Sequence, residues 1–563
     1  MKLPPRPDFE RSSLHVLDGT WNISAGKDSR KYPITVPCPV ESSLSGFDSS
    51  ILAGTKTYWY EKLIENRTGS TSRVFLCCNA VDYIADVFID EAFVTSHTGG
   101  YSYFEAEITD QVRGKKDFLI QIRVTDRDDP AQARGKQYWE KESSRCWYKG
   151  ISGIWQSLWL EERPDTYIAS VRITPDIDAS RADFLICLNR SPSSAVSITV
   201  EKDERIRSQT TVTAEDAEIR TSVFIKPDDS IDDTHLWSPE NPQLYKAVIR
   251  TGSDEVVTYF GMRKIEVSGG RILLNNRPYY QRLVLDQAYF RDGILTAKDE
   301  DEYIRDIKLV KELGFNGVRL HQKIEDPRFY HLCDRMGLIV WLELPSMYSY
   351  SDQSACTLLS QWQDIILTHY NHPSITTYVP LNESWGVRNI YADRKMQEFS
   401  LAVYHLTKAL DPTRLVSTND GWEQTDSDIM AIHDYCQEGD ELLEKLTSID
   451  QLSRGAAGSR MLYAKGYEYE GQPVIVTEFG GIAFSRDTDG TNWGYGDSEK
   501  DEESFLRRLD GLIRAIVSSR TTSGFCYTQL TDVYQEVNGL LTFDRVPKCD
   551  IGRIRKIITQ TPQ

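Results

Sequence analysis

The stretch DEYIRDIKLVKELGFNGVRL, Asp301 to Leu320, decides the fold. Its first two-thirds place Ile304, Ile307, Leu309, Val310 and Leu313 on one helical stripe, and Gly314 ends the helix. FNGVRL then reads as a strand. Downstream, PRFYHLCDRMG is again helical and LIVWLEL again a strand, followed by the helix LLSQWQDIILTHY and the strand SITTYVPL. The alternation runs on through MQEFSLAVYHLTKAL, RLVST, DIMAIH, PVIVTEF, EESFLRRLDGLIRAIV and GFCYTQL. About eight strand–helix units over roughly 300 residues are the count and size of a (β/α)8 barrel. The expected barrel spans 268–563.

Upstream the texture is all β. TSRVFLCCNAVDYIADVFIDEAFV, KDFLIQIRVTD and SGIWQSLWLEE alternate or run apolar in short stretches with polar breaks, which predicts a β-sandwich over 1–165. ADFLICLNR, AVSITVEKD and YKAVIRTGS belong to a second β region, 166–267, of the size of an immunoglobulin-like sandwich.

With 563 residues the chain is too long for one core. Its net charge of −19 argues against nucleic acid or an anionic membrane as partner, since both require basic surface. There is no apolar run of membrane-span or signal-peptide length, and the ten cysteines are scattered without zinc-type spacing. The expectation is a cytoplasmic protein with reduced thiols, no metal and no cofactor, acting on a small molecule; a homo-oligomer is compatible with this reading.

Active sites of such barrels form at the C-terminal ends of the strands. YVPLNESWG, Tyr378 to Gly386, ends the fourth strand in Glu383, and PVIVTEFGG, Pro473 to Gly481, ends the seventh in Glu478. Strands four and seven face each other across a barrel mouth, so the two carboxylates can converge. Either glutamate alone could be a strand-end ion pair; two at matching positions suit glycoside hydrolysis, which needs one protonated and one ionised carboxyl group. Asn382 adds an amide able to bond a sugar hydroxyl.

These residues resemble glycoside hydrolase family 2, the β-galactosidase/β-glucuronidase/β-mannosidase family, and the resemblance runs the whole chain. AVDYIADVFIDEAFVTSHTGGYSYF and CWYKGISGIWQSLWLE look like its jelly roll, LWSPENPQLY and YFGMRKIEV like the close of its immunoglobulin-like domain, and NESWG and TEFGG like its acid/base and nucleophile motifs. The resemblance implies an N-terminal jelly roll, an immunoglobulin-like β-sandwich and a C-terminal catalytic TIM barrel. It makes Glu383 the acid/base, Glu478 the nucleophile and Asn382 the 2-hydroxyl contact, and it places Arg319 and His321 in the sugar pocket and Tyr435 beside the nucleophile. Trp385, Trp422 and Trp493, in loops after strands four, five and seven, are candidates to stack on a pyranose. Tyr527 and Gln529 could face the pocket from strand eight, and Asp286 is either a hydroxyl acceptor or a cap.

Three departures bear on the substrate. Where glucuronidases of the family carry Asn-x-Lys, this chain has QEVNG, Gln535 to Gly539, whose Glu536 is expected to repel a sugar carboxylate. The galactosidases' acidic residue before the W-x-x-S-G-I signature is replaced by ESSRCW, with Arg145 nearest, and LELPSMY lacks their metal-site histidine. The expected activity is exo-acting retaining hydrolysis of a terminal sugar, β-galactosidase-like first. The alternatives are α-L-arabinosidase, β-mannosidase, β-glucosidase or β-glucuronidase specificity, or a non-catalytic carbohydrate-binding protein.

Overall fold

The computed structural model describes residues 2–562 apart from 28, 53, 70, 141, 193, 226–234, 455, 458–459 and 485–491. The first β region packs a four-stranded sheet against a six-stranded one, all neighbours antiparallel. Between them lie Trp21, Ile34, Tyr60, Leu76, Val87 and Ile122, each supplied by the inward half of an alternating strand. The second region faces a three-stranded sheet (Ile168–Asp176, Arg181–Leu188, Glu218–Phe224) with a four-stranded one (Val196–Lys202, Arg205–Val212, Tyr245–Thr251, Asp254–Phe260).

The barrel strands are β1 (Gln281–Asp286), β2 (Gly317–Leu320), β3 (Ile339–Glu343), β4 (Ile375–Val379), β5 (Leu415–Val416), β6 (Met430–Asp434), β7 (Val474–Gly480) and β8 (Thr522–Thr528). They form one parallel sheet in the order β5-β4-β3-β2-β1-β8-β7-β6. At the remaining seam the Asp428 amide donates to the Val416 carbonyl at 2.9 Å. Helices between the strands follow local signals. The helix Glu300–Glu312 is capped by Asp299 and buries Tyr303, Ile307 and Val310, while Ile304 and Leu309 of the expected stripe are half-buried at its edge. The helix Pro327–Met336 starts on Asp326 with proline in its first turn and stops at left-handed Gly337, where a Cβ would meet the Pro239 carbonyl at 2.3 Å.

Strand alternation sorts the barrel side chains. Leu283, Leu285, Ile339, Trp341, Ile475 and Cys526 fill the interior, where the hairpin residues Ile265, Ile272 and Leu274 close the floor. Val284, Val340, Leu342, Val476, Phe525 and Tyr527 face the helices. Tyr527 is thus corrected: it shares the outward parity of Phe525 and packs 5.6 Å from Phe479, so it does not line the pocket.

A strap from the first sandwich, residues 134–140 and 142–148, lies over the barrel mouth. The Arg134 and Gly135 amides donate to the Ser346 carbonyl, and the Tyr348 hydroxyl donates to the Gly135 carbonyl at 2.6 Å. Gly135 is obligatory because φ is +60° and a Cβ would sit 2.2 Å from the Gln322 carbonyl. No helix among the described residues is long and apolar enough to cross a membrane.

Trp341 is fully buried in the barrel interior, its indole N–H bonded to Gln281 Oε1 at 2.7 Å. Trp341→Ala is therefore expected to destabilise the barrel by about 3–5 kcal/mol. A denaturant midpoint unchanged from wild type would contradict this packing.

Candidate active site

Glu383 leaves β4 in a turn built by unusual backbone. Glu383 and Ser384 have φ of 52° and 58°, held because the Ser384 amide donates to Asn419 Oδ1 and its hydroxyl to Glu423. The preceding pair Leu381–Asn382 runs parallel to Asn419–Asp420, which puts Asn382 beside Asp420. On the opposite wall, Glu478 of β7 is in register with His433 of β6. Barrel geometry thereby brings Glu383, Asn382, Asp420, His433 and Glu478 to one end of the strands.

Arg319, on β2, is buried at the centre of this group. Its Nε donates to Glu343 at 2.8 Å and its Nη2 to Asn382 Oδ1 at 2.8 Å. Nη1 lies 2.9 Å from Asp420 Oδ1 and 3.1 Å from Glu478 Oε1. Burial disfavours the guanidinium charge, but Asp420, Glu343 and Glu478 more than offset that and raise its pKa. Asp420 responds oppositely: burial alone would raise its carboxyl, but Arg319 and His433 hold it well below the usual range. Glu343 is pushed up to about 7 by burial, against Arg319.

His433 is the second buried cation. Nδ1 lies 2.9 Å from Glu383 Oε1, Nε2 2.8 Å from Asp420 Oδ1 and 3.5 Å from Glu478 Oε1. Burial favours the neutral ring, but Glu478, Asp420 and Glu383 raise its pKa to about 10. For Glu383, burial pushes the carboxyl up, and the hydrogen bond and charge of His433 more than cancel that, so its pKa lies below the ordinary value. The Tyr435 hydroxyl donates to Glu478 Oε2 at 2.5 Å, and its ring stacks on Tyr495 at 3.4 Å. Arg319 and Tyr435 thus fix the Glu478 carboxylate from both oxygens.

One carboxylate oxygen of Glu383 and one of Glu478 lie within 4.8 Å of each other, with His433 inside the same span. These three could converge on a cation, but Arg319 already supplies positive charge to the same Glu478 oxygen.

The strap adds residues that the sequence reading did not single out. Lys136 is only 9% exposed, and its Nζ has no hydrogen-bond partner among the described residues. It lies 5.9 Å over the Tyr148 ring, and the Tyr148 hydroxyl donates to Glu536 at 2.6 Å. Burial lowers the Lys136 pKa, but Cys146, Glu536, Glu478 and Glu383 bring it above the ordinary value. Glu536 accepts a second bond from Asn538 at 3.0 Å, whose Oδ1 accepts from Gln529; Gln529 in turn accepts from Gln287. Gln529 therefore braces the Glu536 loop.

The remaining sequence candidates are scattered around this centre. His321 Nδ1 is 3.3 Å from Glu343, and burial, then Lys136, keeps its pKa well below the ordinary value. Asp286 accepts the Ala288 amide at 2.8 Å, a turn cap; burial and Asp306 raise its pKa to about 6. Trp422 packs edge-on against His433 with Arg460 over its ring. Trp493 donates its indole N–H to the Arg145 carbonyl and so ties the strap down. Trp385 stands among Trp147 and Tyr348 beside Glu383. Glu343, Asp420 and His433 were within reach of sequence reasoning: like the two glutamates, each is a polar residue ending or following an apolar barrel strand.

Two family models match the chain: Glycosyl hydrolases family 2 over residues 166–263, and Glycosyl hydrolases family 2, TIM barrel domain, over 265–561. The chain is 25% identical over 372 residues to a putative beta-glucuronidase of Formosa agariphila, across 63% of this chain and 44% of that protein. It is 28% identical over 323 residues to a beta-galactosidase of Vibrio vulnificus, across 52% and 29%. The matched region thus spans less than half the length of both relatives. In overall fold the chain is similar to a GH2 beta-galacturonidase from Eisenbergiella tayi bound to galacturonate, with a TM-score of 0.78, 20% identity and 98% of each chain covered.

Because the His433 pKa stands at about 10 against an ordinary 6.5, its contribution to stability is fully present below pH 6.5 and is lost as pH rises through about 10. Denaturant titrations from pH 6 to 10.5 should show this alkaline loss, and His433→Gln should flatten it. Equal slopes for the two proteins would contradict a cationic His433.

Proposed function

The chain belongs to glycosyl hydrolases family 2, and on that premise we propose that it is an exo-acting retaining β-glycosidase with Glu478 as nucleophile and Glu383 as acid/base. The observation that carries the reading is the spacing of the two carboxylates. Oxygens within 4.8 Å suit attack by one group at the anomeric carbon while the other reaches the glycosidic oxygen. Retaining enzymes separate the pair by about 5–5.5 Å, against roughly 6.5–9.5 Å when a water must fit between.

In the first step a Glu478 oxygen bonds to the anomeric carbon and the glycosidic C–O bond breaks. The departing oxygen takes a proton from Glu383. The His433 charge holds Glu383 below its ordinary pKa, so the proton rests on the cationic ring, which donates to Glu383, and it crosses to Glu383 as Glu383 protonates the departing oxygen. Arg319 and Tyr435 hold Glu478 in line, and Asn382, fixed by Arg319, faces the sugar's 2-hydroxyl. In the second step Glu383 takes a proton from water as that water displaces Glu478, releasing the sugar with its anomeric configuration retained.

For the sugar, Lys136 favours a terminal uronide. A largely buried lysine whose ammonium has no hydrogen-bond partner among the described residues, in the field of Glu536, Glu478 and Glu383, is suited to a carboxylate on the substrate. Glu536 does not oppose this, since Tyr148 and Asn538 occupy its oxygens and Lys136 offsets its charge. A neutral β-galactoside is the second reading, favoured by Glu536 as an acceptor for a sugar hydroxyl.

A nitrophenyl panel of β-galacturonide, β-glucuronide, β-galactoside, β-mannoside, β-glucoside and α-L-arabinoside tests both levels. Uronide cleavage should dominate, with Glu478→Gln inactive and Glu383→Gln reduced roughly 10²–10⁴-fold. Lys136→Met should raise KM for the uronide more than for the galactoside. Full activity in Glu478→Gln would sink the mechanism; a neutral sugar cleaved best, with Lys136→Met indifferent, would sink the uronide reading.

A further inference from the structure

We infer that Asp420 is the positioning residue for acid–base catalysis: through His433 it aims, and keeps protonated, the ring that exchanges a proton with Glu383. The inference rests on the reading of Glu383 as the acid/base and adds to it a residue that is fully buried.

Asp420 holds Glu383 twice. Its carbonyl accepts the Glu383 amide at 3.0 Å, which fixes the backbone where the left-handed turn begins. Its side chain holds the partner of the Glu383 carboxyl group, because His433 Nε2 lies 2.8 Å from Asp420 Oδ1 and Nδ1 lies 2.9 Å from Glu383 Oε1. Between two ionised carboxylates an imidazole can donate from both nitrogens only as the cation. The Asp420 carboxylate is itself pinned. Arg319 Nη1 reaches the same Oδ1 at 2.9 Å, and the Ser417 hydroxyl donates to Oδ2 at 2.6 Å.

The chain after Asp420 is shaped for that ring. Gly421 has φ of +105°, and a Cβ there would meet His433 Nδ1 at 2.6 Å and Cε1 at 2.8 Å, so the ring rests against bare backbone. Trp422 then packs edge-on to it, 5.5 Å away at 69°. Space-filling does not account for the charges. His433 Nε2 is 3.4 Å from Arg319 Nη1, and a second buried cation so close to the first is costly unless carboxylates surround it. Three face the ring, Asp420, Glu383 and Glu478, with Glu343 behind Arg319. Glu383 and Glu478 are the groups proposed to react, so their charges change during turnover. Of the three, Asp420 alone keeps its charge throughout.

In the first step the Nδ1 proton of His433 passes to Glu383 and from it to the departing oxygen. The ring is left neutral, with its Nε2–H still on Asp420. In the second step a water proton returns through Glu383 to Nδ1, while the water oxygen bonds to the anomeric carbon and the bond to Glu478 breaks. The ring therefore starts and ends the cycle charged.

The test uses the full chain and two glycosides of whichever sugar it accepts. One carries 2,4-dinitrophenol, which leaves without a proton, and the other trifluoroethanol, which needs one. Asp420→Asn should lower kcat/KM for the trifluoroethyl glycoside about 10²-fold and leave that for the dinitrophenyl glycoside nearly unchanged. The alkaline limb of the trifluoroethyl profile should move down by about one pH unit or more, since the ring loses its fixed counter-charge. Should Asp420→Asn not fold, Ser417→Ala weakens the same carboxylate's anchorage and should show the same selective loss in smaller measure. Nitrogen NMR of 15N-histidine-labelled protein, with His433→Gln assigning the signal, reads the ring without any turnover. It should show His433 losing its proton at lower pH in the variant than in the wild type. Equal losses on both glycosides with an unmoved alkaline limb would reduce Asp420 to a structural role and overturn the proposal. A ring titrating at the same pH in both proteins would overturn it too. A wild type that cleaves neither glycoside, while its ring titrates lower in Asp420→Asn, would refute the glycosidase reading and still show that Asp420 keeps the ring charged.

Discussion

The site depends on one buried cation. Arg319 meets Glu343, Asp420, Glu478 and Asn382 through its three nitrogens, with none of its surface exposed. A planar guanidinium suits this because its donors lie in a fixed fork, whereas an ammonium would satisfy the same acceptors without setting their directions. Such a group is expensive to bury, and the cost is offset only while every carboxylate around it stays in place. Five barrel strands, or the loops that follow them, are thereby locked to one another at the C-terminal end of the barrel. His433 repeats the device on the other side, joining Asp420 to both Glu383 and Glu478. The two cations make the spacing of the glutamates a property of the whole barrel end.

The first sandwich contributes to the same site through its strap. Backbone bonds at Arg134 and Gly135, the Tyr348 hydroxyl and the Trp493 indole hold it against loops after β3, β7 and β8. Lys136, Trp139 and Trp147 ride on it. The barrel thus supplies the carboxylates proposed to react, while the strap supplies Lys136, proposed to choose the sugar.

Much of the barrel was legible because its strands and helices carry opposite periodicities over long runs, and because strand ends with polar residues mark the mouth. That signal led to Glu383 and Glu478 and would equally have led to Glu343, Asp420 and His433. Tyr527 was misread because choosing a face of β8 requires knowing the parity of Cys526, which alternation alone leaves open. Asp286 spends an oxygen on the Ala288 amide, as the cap alternative held. Lys136 could not be placed from sequence, since it lies in a segment without helix or strand and reaches the site only through long-range contacts. Glu536 was located from sequence, but its partners Tyr148 and Asn538 come from two different segments and could not be.

The central claim is that Glu478 attacks the sugar, with Arg319 and Tyr435 holding it in line. A 2-deoxy-2-fluoro glycoside with an activated leaving group slows the second step more than the first, so the covalent intermediate should accumulate. Mass spectrometry of the protease-digested protein should then place one fluorosugar on the peptide containing Glu478. A fluorosugar on another residue, or turnover that gives the opposite anomer with no adduct, would contradict the account.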